Sequence, residues 1–203
     1  MPVKCAWIGI LSLLALSFLA LLMAPLLMPE SYSWIANTTS ESAAQGLESA
    51  WAARMGFLLF GLAVLWLACA ADQTWGRAVV WMHIGFGVMM LSTAAFSHQP
   101  FLPDVPFDPV EDFLHSFTAT VMGFAFSLGV FARFLQRGKN FGISHSFDLV
   151  VIGAAIILPL LMAGQPGLSG LVQRIMFMLA YIWYGVEAWK LRETAIVAAG
   201  SAE

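Results

Sequence analysis

The chain has 203 residues, 60% of them hydrophobic and only 10% charged, against roughly 45–50% apolar and 25% charged in soluble domains. A water-soluble fold of this length has no room to hide so much apolar side chain. The formal net charge of −3 removes the basic footprint that nucleic acid demands, and two cysteines, Cys5 and Cys69, are too few for a disulfide scaffold.

The apolar residues gather into blocks with short polar punctuation, the pattern of helices that lipid solvates and whose backbone groups pair internally. The expected fold is all-α: a single polytopic membrane domain over residues 1–203, a bundle of six transmembrane helices at about 6–28, 51–71, 76–97, 109–134, 147–163 and 171–190. The first block, Ala6 to Met28, follows Lys4 as a secretory signal would. Its apolar run exceeds the roughly 7–15 residues of a signal core, and no small-residue cleavage site precedes Glu30, so it is read as the first membrane helix.

Lysines and arginines set the orientation. With the N-terminus inside, Lys4, Arg77, Arg133, Arg137, Lys139, Lys190 and Arg192 fall on the cytoplasmic side, leaving Arg54 and Arg174 outside. Both termini are then cytoplasmic, and in a bacterium the bilayer is the inner membrane. Trp34, Trp51, Trp75, Trp81, Trp183 and Trp189 read as an interfacial belt. The two cysteines, near the reducing cytoplasmic side, read as packing residues.

The first outer connection, Pro29 to Arg54, holds Ser40-Glu41-Ser42 and Gly46. Ser40 as an N-cap predicts a short interfacial helix there. In the third block, His83 stands about 22 Å along the helix from His98 at 1.5 Å per residue, so the two cannot share a metal ion. No second histidine stands at its depth to ligate haem axially, and His83 reads as a buried polar packing residue. His145, between Ser144 and Ser146, reads as a solvated or capping loop residue.

The second outer connection, Ser97 to Asp112, is stiffened by Pro100, Pro103, Pro106 and Pro109, and the stretch from Ser97 to Ser116 returns two histidines and four carboxylates to one membrane face. Asp108, Pro109 and Glu111 fit a helix start, with a carboxylate N-cap, proline at the first position and the acidic third residue of a capping box. Asp112 and His115 lie three residues apart on one face of the fourth helix. An Asp-x-x-His pair at membrane depth can ligate a metal, act as acid and base, or simply hold a histidine in place. His98, ending the third helix on the same side, would meet His115 across the bundle.

At the mouth of the sixth helix stand Gln173 and Arg174, on the same membrane face as Glu41. A helix-mouth arginine needs a partner, and Glu41, Asp104 or Asp112 are the available counter-charges. No nucleophile elbow, phosphate loop, dinucleotide fingerprint or Cys pair occurs in the chain.

Taken together, these motifs resemble a known family over most of the chain. Ser40-Glu41 is followed by Gly46, Gly56-Phe57 and Gly61 open the second helix, and a Pro/Asp-rich loop closes on His115. Gly170-Leu171-Val172-Gln173-Arg174 then opens the last helix, which carries Trp183. In their order and helix placement they resemble the bacterial and archaeal membrane family of domain of unknown function 998. That resemblance implies six membrane helices and carries no activity. The membrane hydrolases that include alkaline ceramidases, built on histidines, an aspartate and a serine around zinc, are a poorer comparison, because the sixth block has no histidine.

Three functions follow. The leading expectation is an outer-facing polar pocket of Glu41, Asp112, His115, Gln173 and Arg174 that binds a lipid headgroup or a partner subunit. The second is a metal-dependent lipid hydrolase, with His98, Asp112 and His115 as zinc ligands and Glu41 and His115 as its catalytic groups, Glu41 acting as the base. The third is an accessory subunit of a larger membrane complex. The partners expected are membrane lipids and, for the last, another membrane protein.

Overall fold

The computed structural model describes residues 6–138 and 142–200, with residues 193–200 by backbone alone; Lys4, Cys5 and Lys139 lie outside the described residues. The described chain is all-α, without strands. Its six helices are α1 (Ala6–Met23), α2 (Ala50–Ala70), α3 (Arg77–Ala95), α4 (Pro109–Arg137), α5 (Ile143–Gly164) and α6 (Ser169–Gly200). Consecutive helices pack on one another and α6 returns to α1, closing the ring. The segment Ala6–Leu27 and helices α2 to α5 are long and apolar enough to cross a membrane. Connections 28–49 and 96–108 gather at one end, the long-loop end, and the 71–76 turn lies at the other, the short-turn end, with the end of α4 and the start of α5.

Local chemistry sets the helix ends. Asp108 caps α4, its Oδ1 accepting from the N–H groups of Val110 (2.8 Å) and Glu111 (3.4 Å), with Pro109 in the first helical position, where its missing N–H costs nothing. Glu111 does not complete the expected capping box. Its carboxylate accepts instead from the Ser97 N–H at 2.8 Å, tying the end of α3 to the start of α4.

Most predicted boundaries shift by a few residues, with α4 running to Arg137 and α5 starting at Ile143, but α6 continues well past its expected end at residue 190, to Gly200. The interfacial helix expected in the first outer connection is only a three-residue 3-10 turn, Glu41–Ala43, and Ser40 makes no side-chain cap. Side chains in 29–49 bond their own backbone instead, which competes with helix formation.

The core is aromatic. Phe60 stacks on Tyr181 at 4.2 Å between ring centroids and meets Phe86 and Tyr184 edge-on. Trp183 lies between Phe126, Trp75 and His83. Trp75 and Trp183 are therefore core residues and no part of the expected belt, whereas Trp34, Trp51, Trp81 and Trp189 are exposed. Helices α2 and α3 cross at Gly61 and Gly87, where a Cβ on either would press on the other's carbonyl oxygen, the close approach that small residues permit in membrane bundles.

Three single-residue expectations are decided by this packing. His83 is fully buried, with Nδ1 2.8 Å from the Tyr184 hydroxyl, the packing role expected of it. His145 is no solvated loop residue: it sits in the first turn of α5, buried, its ring centroid 4.1 Å from that of Phe134. Cys69 is exposed and does not pack in the core.

Candidate functional site

The long-loop end is built by laying the first connection on the start of α6. The N–H groups of Gly170 and Leu171, unpaired within the helix, donate to the carbonyls of Ala36 (3.1 Å) and Ile35 (2.9 Å). Gln173 accepts from the Thr39 N–H at 2.7 Å. Arg174 donates from Nη1 to the carbonyls of Trp34 (2.7 Å) and Asn37 (2.9 Å), and from Nη2 to the Tyr32 hydroxyl (2.6 Å). Its guanidinium carbon lies 4.9 Å from the Trp34 ring centroid and 5.9 Å from that of Tyr32.

None of the three carboxylates expected to neutralise Arg174 does so. Among the described residues it makes no ion pair. Glu41 is committed to its own turn, accepting from Asn37 Nδ2, the Thr38 N–H and the Thr38 hydroxyl. Carbonyl dipoles and aromatic faces replace a counter-ion. Burial, only partly offset by the neighbouring guanidinium, raises the Tyr32 pKa, so its hydroxyl keeps the proton that it donates to the Thr38 carbonyl at 2.8 Å.

Beneath Arg174 a cavity of about 210 Å³ opens between α1 and α6. Its walls are apolar, with Phe18 and Leu22 on one side and Ile175, Met178 and Tyr181 on the other, while Arg174, Thr39 and Trp34 form the mouth.

A second cluster, with two histidines, stands at the same end. Gln45 is the stitch between the loops: its side chain reaches the carbonyls of Ser97 (3.1 Å) and Asp108 (3.0 Å) and accepts from the Asp108 N–H (2.7 Å). His98 and His115 meet edge to face at 5.4 Å, and His98 Nδ1 lies 3.9 Å from Asp112 Oδ1. His98 Nδ1 faces the Gln99 carbonyl at 2.7 Å and His115 Nδ1 the Phe96 carbonyl at 2.8 Å, so both nitrogens carry a proton. Asp112 accepts from the Gln99 N–H at 2.7 Å.

Among the described residues no three His, Cys, Asp or Glu side chains stand where they could hold one ion. The five residues expected in one pocket thus fall into two groups, Glu41, Gln173 and Arg174 in one and Asp112 and His115 in the other. No hydrogen bond or ion pair between their side chains joins the groups.

A family model described as protein of unknown function (DUF998) matches residues 12–190. The chain belongs to this DUF998 family. No curated protein and no solved structure matches it.

The short-turn end of this DUF998 protein holds a cluster that the motif reading missed. Glu187 on α6 accepts from Arg133 Nε (3.0 Å), Arg137 Nη2 (2.7 Å), Lys190 Nζ (2.5 Å) and the Trp75 indole (3.2 Å). Arg137 also pairs with Asp148 on α5 at 2.7 Å, and Asp148 accepts from the Trp183 indole at 2.8 Å. The carboxylate side chains are only 2% and 1% exposed. Each lies inside an apolar block, and a carboxylate at membrane depth needs a partner. That signal is in the sequence, but Arg133, Arg137 and Lys190 read there as loop charges.

Proposed function

We propose that this is a single-domain, six-span integral membrane protein with both termini cytoplasmic, whose outer end binds the anionic headgroup of a lipid at Arg174. In a bacterium its place is the inner membrane. The observation that carries the binding reading is a half-buried guanidinium with no carboxylate partner at the mouth of an apolar groove. Three of its five N–H donors are used on the loop, and an anion supplies the missing charge.

The sixth span is supported by the spacing of two arginines. Arg174 lies on Trp34, and Arg192 lies 4.7 Å from the ring centroid of Trp189. Eighteen residues of helix between them span about 27 Å, close to the ~30 Å hydrocarbon thickness. Arginine stacked on tryptophan suits both interfaces. Between them, Glu187 pairs with Lys190 and with two arginines of α4.

The test is the lipid that co-purifies in mild detergent, identified by native mass spectrometry. Wild type is expected to retain anionic over zwitterionic lipid, and Arg174→Gln to lose that preference. Identical lipid profiles would sink the reading. Labelling of single cysteines placed at residues 31, 104 and 139 checks the topology, the first two being expected on the outer face.

A metal-dependent hydrolase is the second reading, favoured by the meeting of His98, His115 and Asp112. It requires both imidazoles to turn from backbone carbonyls towards one ion. Near-stoichiometric zinc in purified protein, lost on the double change His98→Ala and His115→Ala, would promote it.

A further inference from the structure

The Arg174 site has a second half, and its chemistry specifies more than a headgroup. We infer that its occupant is an anionic amphiphile held at two points, its phosphate or carboxylate on Arg174 and one acyl chain in the groove between α1 and α6. This rests on the headgroup reading above and adds the chain to it.

The groove runs from Arg174 to Tyr181, seven residues and about 10 Å along α6. Below the mouth its lining is hydrocarbon and aromatic ring. The one hydroxyl at its foot is already engaged, because Tyr181 Oη bonds Ser17 Oγ, which donates to the Gly56 carbonyl at 2.6 Å. Nothing polar in the interior is left to hold water. A space of about 210 Å³ would take several waters at roughly 30 Å³ each, but water needs polar partners, and apolar cavities exclude it. Leu22, Ile175 and Met178 are exposed groove residues, so the groove is open along its flank to the same medium as the outer faces of the helices. A hydrocarbon chain fills such a space.

Aromatic packing backs the floor and walls. Phe18 packs edge-on against Tyr181 at 5.6 Å, and Phe57 stacks on Phe177 at 5.9 Å. The cation at the mouth selects among lipids. A chain in the groove is compatible with any acyl lipid, but only one bearing a negative group close to its chain satisfies Arg174 at the same time. A phospholipid phosphate and a fatty-acid carboxylate both meet that condition.

The experiment uses the full chain in neutral detergent with two photoactivatable probes, phosphatidic acid and palmitic acid, each with a diazirine in its acyl chain. Glycerol 3-phosphate serves as a chain-free competitor. Capture of either probe on α1 and α6 residues of the groove is expected, and which probe competes better identifies phosphate or carboxylate as the head. Filling the groove with Ile175→Trp or Met178→Trp is expected to weaken binding at least about tenfold, a change of ~1.4 kcal/mol, while glycerol 3-phosphate competes poorly.

Labels scattered over all helices with binding unchanged in both tryptophan variants would overturn the chain inference. If Arg174→Gln still abolished the anionic preference, the headgroup reading would stand without it. Equal capture of a phosphatidylcholine probe, unaffected by Arg174→Gln, would mean annular lipid only and would overturn both. Should either tryptophan variant fail to fold, the labelling pattern on wild type decides.

Discussion

The two ends of the bundle handle charge in opposite ways. At the short-turn end, two nearly inaccessible carboxylates are shared among Arg133, Arg137 and Lys190, drawn from α4, α5 and α6. At the long-loop end, Arg174 is held by carbonyls and rings with no carboxylate at all. A cluster in which every charge has an opposite partner locks helices together. A cation held in place without a carboxylate partner is, under the proposed function, the receptor for an anion. The number of charges at an end therefore says less than whether each has an opposite partner.

The contrast is most exposed to refutation at Glu187. Glu187→Gln leaves three cations facing a neutral amide, and removing one member of a buried ion cluster costs about 3–5 kcal/mol. Thermal unfolding in detergent is expected to show a larger loss of stability than any change at the long-loop end produces. Because α5 buries only His145, Asp148 and Val151, all in its first half, that loss should appear first as increased protease access to α5. A variant as stable as wild type would refute the view that this cluster locks the short-turn end.

A smaller effect is expected at Gly170. A Cβ there would sit 2.8 Å from Arg174 Nη1 and from the Asn37 carbonyl carbon, so Gly170→Ala must push the loop and the guanidinium apart. Such overpacking costs about 1–3 kcal/mol. Unlike Glu187→Gln, it should also reduce retention of anionic lipid, because the displaced group is the one proposed to bind the anion. Loss of stability with unchanged lipid selectivity would separate Arg174 from lipid binding.

What the sequence reveals follows the range of the interaction. The start of α4 was legible because an N-cap is a code of neighbours: Asp108 and Pro109 act within four residues of themselves. The importance of Gln173 and Arg174 was also legible, since polar groups at a helix mouth need partners. Their partners were not. The expected carboxylates were residue types that can be picked from a sequence, whereas the carbonyls of Trp34 and Asn37 belong to a backbone conformation that no residue type announces. The meeting of His98 with His115 was within reach, because consecutive helices at one membrane face are usually neighbours. The ion cluster was missed for the opposite reason. Arg133, Arg137 and Lys190 fit an orientation rule so well that it masks the demand of Asp148 and Glu187 for partners.

The smallest expected effect lies at the cap of α4, and it tests whether the long-loop end is held by many weak local bonds. Asp108→Ala removes the acceptor for the Val110 and Glu111 N–H groups, and loss of such a cap costs about 1 kcal/mol. Asp108→Asn, which keeps an oxygen acceptor, should recover most of it. The backbone of Asp108 remains tied to Gln45 through its own N–H and carbonyl, so the loop should keep its place and the anionic lipid preference should persist. If Asp108→Ala cost as much as Glu187→Gln, the long-loop end would be a single cooperative lock like its opposite, and the contrast between a receptor end and a locked end would fall.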